Sequence, residues 1–354
     1  MNRISFQRSS PFYDELRNEV NKYFEQTGQS STGDIRLYLK TAILILLTAG
    51  LYAAMLLLEP GWPGILLSAL FGFVLALIGF NIMHDACHGS YSRSKWINEF
   101  FGYSMNFLGS NQFIWKIKHN RIHHTFTNVD GIDDDIIKVP VLRHCKSQPY
   151  KKIHRYQHIY GFFLYAISTI LWVSLTDSQK YFGKNISGTP ITDFPLREHV
   201  IFWLSKLFYV FFYIALPIWV LGFMPWLVGY LIMNAVFGIT LSIVFQLAHA
   251  VEITHFEDAN NKNVKVEKEW AAHQVETTAD FAMDNRIINW LVGGLNFQVV
   301  HHLFPLVSHV HYPAIQPIVR RVSEKHGIVY RSFPGIGSAI ASHVNYLKQL
   351  GQGE

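Results

Sequence analysis

The sequence predicts an all-α integral membrane protein with four transmembrane helices and a cytoplasmic helical cap that gathers histidines around metal. Three observations carry this. Long stretches lack any charge, two short connectors lack Lys and Arg, and histidines cluster just past the ends of the uncharged stretches. Only 16% of the residues are charged, against roughly a quarter in soluble domains.

The elements follow in order. The first 37 residues read as a cytoplasmic amphipathic segment rather than a signal peptide, since they lack an apolar core. Ser10 is a candidate N-cap and Pro11 a candidate first helical residue. Phe12, Leu16, Val20, Tyr23 and Phe24 recur on one helical face, and Gly28 ends the pattern. That face suits either the membrane surface or the protein's own cap.

Spans are expected at about 38–58, 62–83, 199–221 and 226–248. From Leu207 to Val251 there are 45 residues without Asp, Glu, Lys or Arg. At about 1.5 Å per residue this crosses an apolar core of about 30 Å twice. A turn is expected at Leu221–Pro225, broken by the proline. The connectors Glu59–Gly64 and Leu221–Trp226 carry none of the 30 basic residues. The positive-inside rule therefore places both termini and residues 84–198 in the cytoplasm. The membrane domain with its cap runs over 38–305, and 306–354 forms its cytoplasmic C-terminal tail.

Residues 156–176 are also apolar and long enough to cross. If they crossed, the middle and C-terminal histidine groups would face opposite sides, so they are expected to lie in the interface or to enter and return. The same holds for 100–115. The basic pI of about 9.0 reflects topology and not a nucleic-acid surface, because the cations are dispersed. Cys87 and Cys145 cannot form a disulfide framework.

The chemistry sits in the histidines. His84 and His88 are spaced i, i+4 at the cytoplasmic end of the second span. His119, His123 and His124 repeat that pair and add a neighbour, and His301 and His302 form a second adjacent pair. Adjacent helical residues point about 100° apart, which suits two metals. Imidazole suits zinc, copper, iron or nickel, and so many ligands exceed one tetrahedral zinc. Asp85 is the best carboxylate to orient a ligand ring, and the Asp133–Asp134–Asp135 run is either a second such group or a solvated loop. Cys87 reads as a packed small residue. His144, His154, His158, His309 and His311 read as structural or surface residues, and Glu252-x-x-His255 as coincidence. Lys116, Lys118 and Arg121 suit attraction to a lipid surface more than a specific phosphate-bearing head group.

HDACH, HNRIHH and QVVHH resemble the three histidine boxes of the membrane fatty acid desaturase family, with spans and boxes spaced alike from about Asn81 to Pro305. HNRIHHTFTNVDGIDDDI and NWLVGGLNFQVVHHLFP are most similar to front-end desaturases of the linoleoyl-CoA type, in which a glutamine opens the third box, as Gln298 does here. The resemblance implies a non-haem centre of two Fe, with O2 as co-substrate. It implies one further ligand at the end of the fourth span, where His249 stands, whereas His273 reads as an ordinary cap histidine. Gln298 precedes His301 by three residues and is expected to face the same metal.

The implied function is oxygen-dependent desaturation of an acyl-CoA or acyl-lipid chain, with a cis, front-end double bond. The implied partners are membrane lipid and an external electron donor, a cytochrome b5-like protein or a ferredoxin with its reductase. A fused haem domain is not expected, with about 37 residues before the first span and about 50 after His302. A lipid hydroxylase on the same scaffold is the nearest alternative. A haem-binding membrane electron carrier would leave adjacent histidine pairs unused. A metal transporter would need polar groups near the membrane midplane.

Overall fold

The computed structural model describes residues 5–7, 11–58, 60–136, 140–258 and 265–353. Ser10 and Glu59 lie outside them. Ten helices frame the description: α1 Pro11–Thr27, α2 Ile35–Leu57, α3 Trp62–His88, α4 Lys152–Gly183, α5 Leu196–Leu221, α6 Phe223–His249, α7 Trp270–Thr277, α8 Gln298–Leu303, α9 Tyr312–Lys325 and α10 Ile336–Leu350. The chain is mostly helical. The exceptions are strand pairs of a few residues, such as Val129–Asp130 beside Glu257–Asp258 and Asp280–Phe281 beside Ser332–Phe333, both parallel. They staple loops together as two-stranded pairs.

Five helices, α2 to α6, are long and apolar enough to cross a membrane. The expected spans at 62–83, 199–221 and 226–248 fall within α3, α5 and α6, and the one at 38–58 runs a single residue past the end of α2. The fifth, α4, contains residues 156–176. The 100–115 stretch is broken into short turns, including Lys95–Gly102, Ser104–Phe107 and Gln112–Lys116. The α5–α6 break lies at Gly222, whose φ of 84° only glycine adopts freely. Pro225 instead sits within the first turn of α6, where a missing N–H costs no helical bond.

The chain divides into two compact units. One comprises Met1–Asp34, Ile117–Gly161 and Val244–Glu354; the other comprises Ile35–Lys116 and Phe162–Ile243. In the second unit, α2 buries a narrow stripe of Leu37, Lys40, Thr41, Leu44 and Thr48 and exposes Leu39, Ile43, Leu46 and Leu47. Such an apolar exterior suits lipid and not water. A Cβ on Gly72 of α3 would meet the Met233 carbonyl of α6 at 2.2 Å, so these two helices touch backbone to backbone. Asp177 is buried and receives Ser110 Oγ at 2.6 Å and Trp172 Nε1 at 3.0 Å, while Lys206 donates to the carbonyls of Gly109 and Val173.

In the first unit, α1 begins at Pro11, and Gly28 follows its end with φ 65°. Its apolar face packs on the protein and not on lipid. Phe12, Leu16 and Val20 share one core with Ala271 and Val275 of α7, Val299 and Val300 of α8, and Ile315, Val319 and Val322 of α9. Glu15 meets Lys325 and His326, and Glu19 meets Arg321, along the rim of that contact.

Candidate metal centre

The second histidine box is not wound as a regular α-helix. Residues Ile117–His123 form a π-helix, and the His124 N–H reaches the His119 carbonyl five residues back at 3.0 Å. This winding sets His119 Nε2 3.3 Å from His124 Nε2, an i, i+5 meeting that an α-helix does not give, while the His119 and His123 rings stack with centroids 5.1 Å apart.

The aspartate run then turns back on the box. Asp133 is buried and its carboxylate oxygens lie 3.0 and 3.1 Å from His123 Nδ1. Asp135 stands 3.4 Å from His123 and 3.5 Å from His119, and Lys118 pairs with Asp135 at 2.5 Å and with Asp134 at 3.9 Å. Burial lowers the His119 pKa to about 4. Burial also opposes charge on His123, but the Asp133 and Asp135 carboxylates outweigh it and leave that pKa raised. Asn128 ties the loop together. Its φ is 56°, its N–H donates to Asp133, and its side-chain amide points at the carbonyls of His249, His255 and Thr277.

Box three is carried by α8. Asp280 Oδ1 accepts the Val299 N–H at 2.9 Å in its first turn, Tyr330 donates its hydroxyl to the same carboxyl group, and burial pushes Asp280 up to about 7. His301 Nδ1 lies 3.1 Å from the Tyr312 hydroxyl; His302 Nδ1 lies 2.8 Å from Gln274 Oε1 and 3.1 Å from Thr127 Oγ1. Gln298 Nε2 sits 3.0 Å from His249 Nε2 and 3.1 Å from His302 Nε2. The amide thus meets the histidine four residues on, where the sequence spacing pointed it toward His301.

Within this unit the ligand atoms of His123, His249 and His302 lie within 4.8 Å of one another, and so do those of His124, His301 and His302, and of His119, His123 and Asp135. Two imidazole nitrogens on one first-row metal are at most about 4.2 Å apart, so a small closing movement suffices. The donor set fits a metal on two further counts. His123 Nε2 and Gln298 Oε1 are buried without hydrogen-bond partners among the described residues. A half-turn of the Gln298 amide exchanges its oxygen and nitrogen in nearly the same space, offering a cation a carbonyl oxygen beside imidazoles.

The fatty acid desaturase family model matches residues 60–334. The chain belongs to that family. It is 36% identical over 353 residues to an sn-1 linoleoyl-lipid 6-desaturase of Arthrospira platensis, covering 98% of this chain and 95% of that protein. It is 33% identical over 359 residues to an sn-1 linoleoyl-lipid 6-desaturase of Synechocystis sp., covering 99% and 98%. It is 35% identical over 350 residues to an acyl-lipid (8-3)-desaturase of Physcomitrium patens, covering 96% and 72%. With five apolar helices, this member of the desaturase family is a multi-pass membrane protein, and its oxidoreductase class follows from the family.

The remaining residues of interest divide clearly in this desaturase. His84 and His88 lie in the second unit, with rings 4.7 Å apart and each edge-on to Trp115. Asp85 is buried one residue after His84, and its charge acts on Lys40. Cys87 packs with Met83, Met105 and Trp115, and Cys145 is a buried free thiol. His273 Nε2 meets the Thr127 carbonyl at 2.8 Å, a structural bond. His154 accepts the Lys151 N–H, and His311 meets the Thr32 carbonyl. Glu252 takes Gln349 while His255 takes Glu257, so the Glu-x-x-His spacing joins nothing. Lys116 is paired with Glu99 at 3.0 Å and Lys118 with the aspartates; Arg121 is exposed. Sequence reasoning missed Gln274, Thr127, Asn128 and Tyr312. Thr127 and Asn128 lie inside the segment HNRIHHTFTNVDGIDDDI, but no spacing marks which ring a distant side chain will orient.

Proposed function

We propose that this desaturase-family chain is a front-end acyl-lipid desaturase, inserting a double bond on the carboxyl side of one already present. The observation that carries the reading is the buried group of His123, His249 and His302 with the Gln298 amide against two of the rings. The relatives named for linoleoyl-lipid and acyl-lipid substrates support the lipid as carrier. In this reading His84, His88, His119, His123, His124, His249, His301 and His302 hold two irons, and Gln298 touches the metal or a water on it.

The chain's own part is positional. Asp133 accepts a proton-bearing His123 Nδ1, which leaves Nε2 with its lone pair for metal. Gln274 Oε1 does the same for His302. Tyr312 does so for His301 by accepting at its hydroxyl oxygen. Burial of all these rings excludes water. Bound iron would supply the redox chemistry by which O2 removes two hydrogens from neighbouring methylenes and leaves as water. Two electrons come from a separate donor, a cytochrome b5-like protein or a ferredoxin with its reductase. The termini and the site face the cytoplasm, and α4 does not cross, so cysteines at 146 and 188 label from the same side.

The test is expression in a host of known lipids, fed stearate and linoleate side by side, with double bonds located by mass spectrometry. The reading expects a new bond between the carboxyl group and the existing bonds of lipid-linked linoleate. Products arising only from the saturated chain would overturn the front-end assignment.

A further inference from the structure

Lys40 is the sixth residue of α2, close enough to the helix end for a lysine to extend its ammonium back to the interface. It turns inward instead. The residue is 6% exposed, and Nζ donates to Asn81 Oδ1 at 2.8 Å. Asn81 is fully buried in the middle of the π-turn Gly79–Met83 of α3, and its amide nitrogen donates to the Leu77 carbonyl at 2.8 Å. The turn closes where the His84 N–H reaches the Gly79 carbonyl.

A π-turn inserts one residue into a helix, so every later side chain is rotated by about 100° from its place in an unbroken α-helix. His84 and His88 come directly after it. The next residue of α2 grips the far side of the same box, since Thr41 Oγ1 accepts the Tyr91 hydroxyl at 2.9 Å. Asn81 stands three residues before His84 and Tyr91 three after His88. Asp85, between the histidines, adds its charge to the clamp. An ionisable group inside a membrane helix is costly and is retained where it acts on something.

We propose that Lys40 is a positioning residue: through Asn81 it holds the π-turn that aims His84 and His88, and the first box keeps its metal only while that link is intact. The inference rests on reading the boxes as iron ligands. It is tested on the purified full-length chain by iron content after gel filtration against a fixed chelator, with unfolding of the metal-free protein followed in parallel. Lys40→Met and Asn81→Leu should each lose about half of the wild-type iron. The double variant should lose no more than either, because both act through one link. A merely structural role would lower the unfolding midpoint yet leave the folded fraction with its full iron. Should Lys40→Met fail to insert, Thr41→Val cuts only the Tyr91 arm and should give a smaller loss of the same sign. Wild-type iron in the single variants, or additive losses in the double, would overturn the inference alone. A wild-type chain that binds no iron would overturn the functional reading as well.

Discussion

Gln298 and His249 lie 49 positions apart in the chain, yet the Gln298 amide nitrogen stands 3.0 Å from His249 Nε2. The contact joins the end of α6 to the first turn of α8, with His302 as its third member at 3.1 Å. Gln298→Ala should therefore lower desaturation about 10- to 100-fold, the range for groups that orient metal ligands. Gln298→His should keep the irons while shifting activity, since imidazole is a stronger ligand than an amide. Product analysis beside iron content decides this; an Ala variant with wild-type turnover would reduce Gln298 to packing.

Asp133 and Asp134 are neighbours with different duties. Asp133 holds His123 and accepts the N–H groups of Asn128 and Asp135, whereas Asp134 reaches toward Lys118 at 3.9 Å. Asp133→Asn should weaken iron retention about 10- to 100-fold, and Asp134→Asn should change it little. Competition with a chelator measures both. Equal losses would contradict the assignment of the carboxylate to His123.

The contrast between these aspartates shows what the sequence could and could not convey. Periodicity and charge-free length located α1 from Pro11 and the five apolar helices, because hydrophobic patterning is a local property. The boxes were visible as spacings, whereas His249 at the end of a span was singled out through the family resemblance. The π-turns at Gly79–Met83 and Ile117–His123 were not visible, since side-chain bonds such as Asn81 Nδ2 to the Leu77 carbonyl and Lys40 Nζ to Asn81 Oδ1 leave no mark in local spacing. The i, i+4 reading of His119 thus missed the His124 ring nitrogen 3.3 Å from its own. Gln274 and Tyr312 orient rings across long sequence gaps, and nothing local marks them.

Acid should destabilise the chain through His144. Burial, aided by the nearby His343, lowers its pKa to about 4. An unfolded imidazole titrates near 6.5, so the neutral buried ring contributes fully above that pH. Its contribution is lost as pH falls from about 6.5 through about 4. Thermal midpoints of the metal-free protein over this window should fall more steeply for wild type than for His144→Phe. Parallel curves would remove His144 from the acid response.

The helix contact at Gly72 should tolerate no side chain. A Cβ there meets the Met233 carbonyl at 2.2 Å, whereas one on Gly64, also in α3, meets nothing within 4 Å. Gly72→Ala should cost about 1–3 kcal/mol, the range for overpacking, and Gly64→Ala should be near neutral. Thermal unfolding in detergent compares them, and equal midpoints would contradict the close α3–α6 approach.

In the proposed desaturase the box histidines hold two irons that the chemistry needs. The most direct measurement titrates ferrous iron into metal-free purified protein and follows desaturation of linoleoyl lipid, with donor and reductase supplied. Activity should rise to a plateau at two irons per chain, with no haem absorption band. Full activity at one iron per chain, or activity that tracks haem, would contradict it.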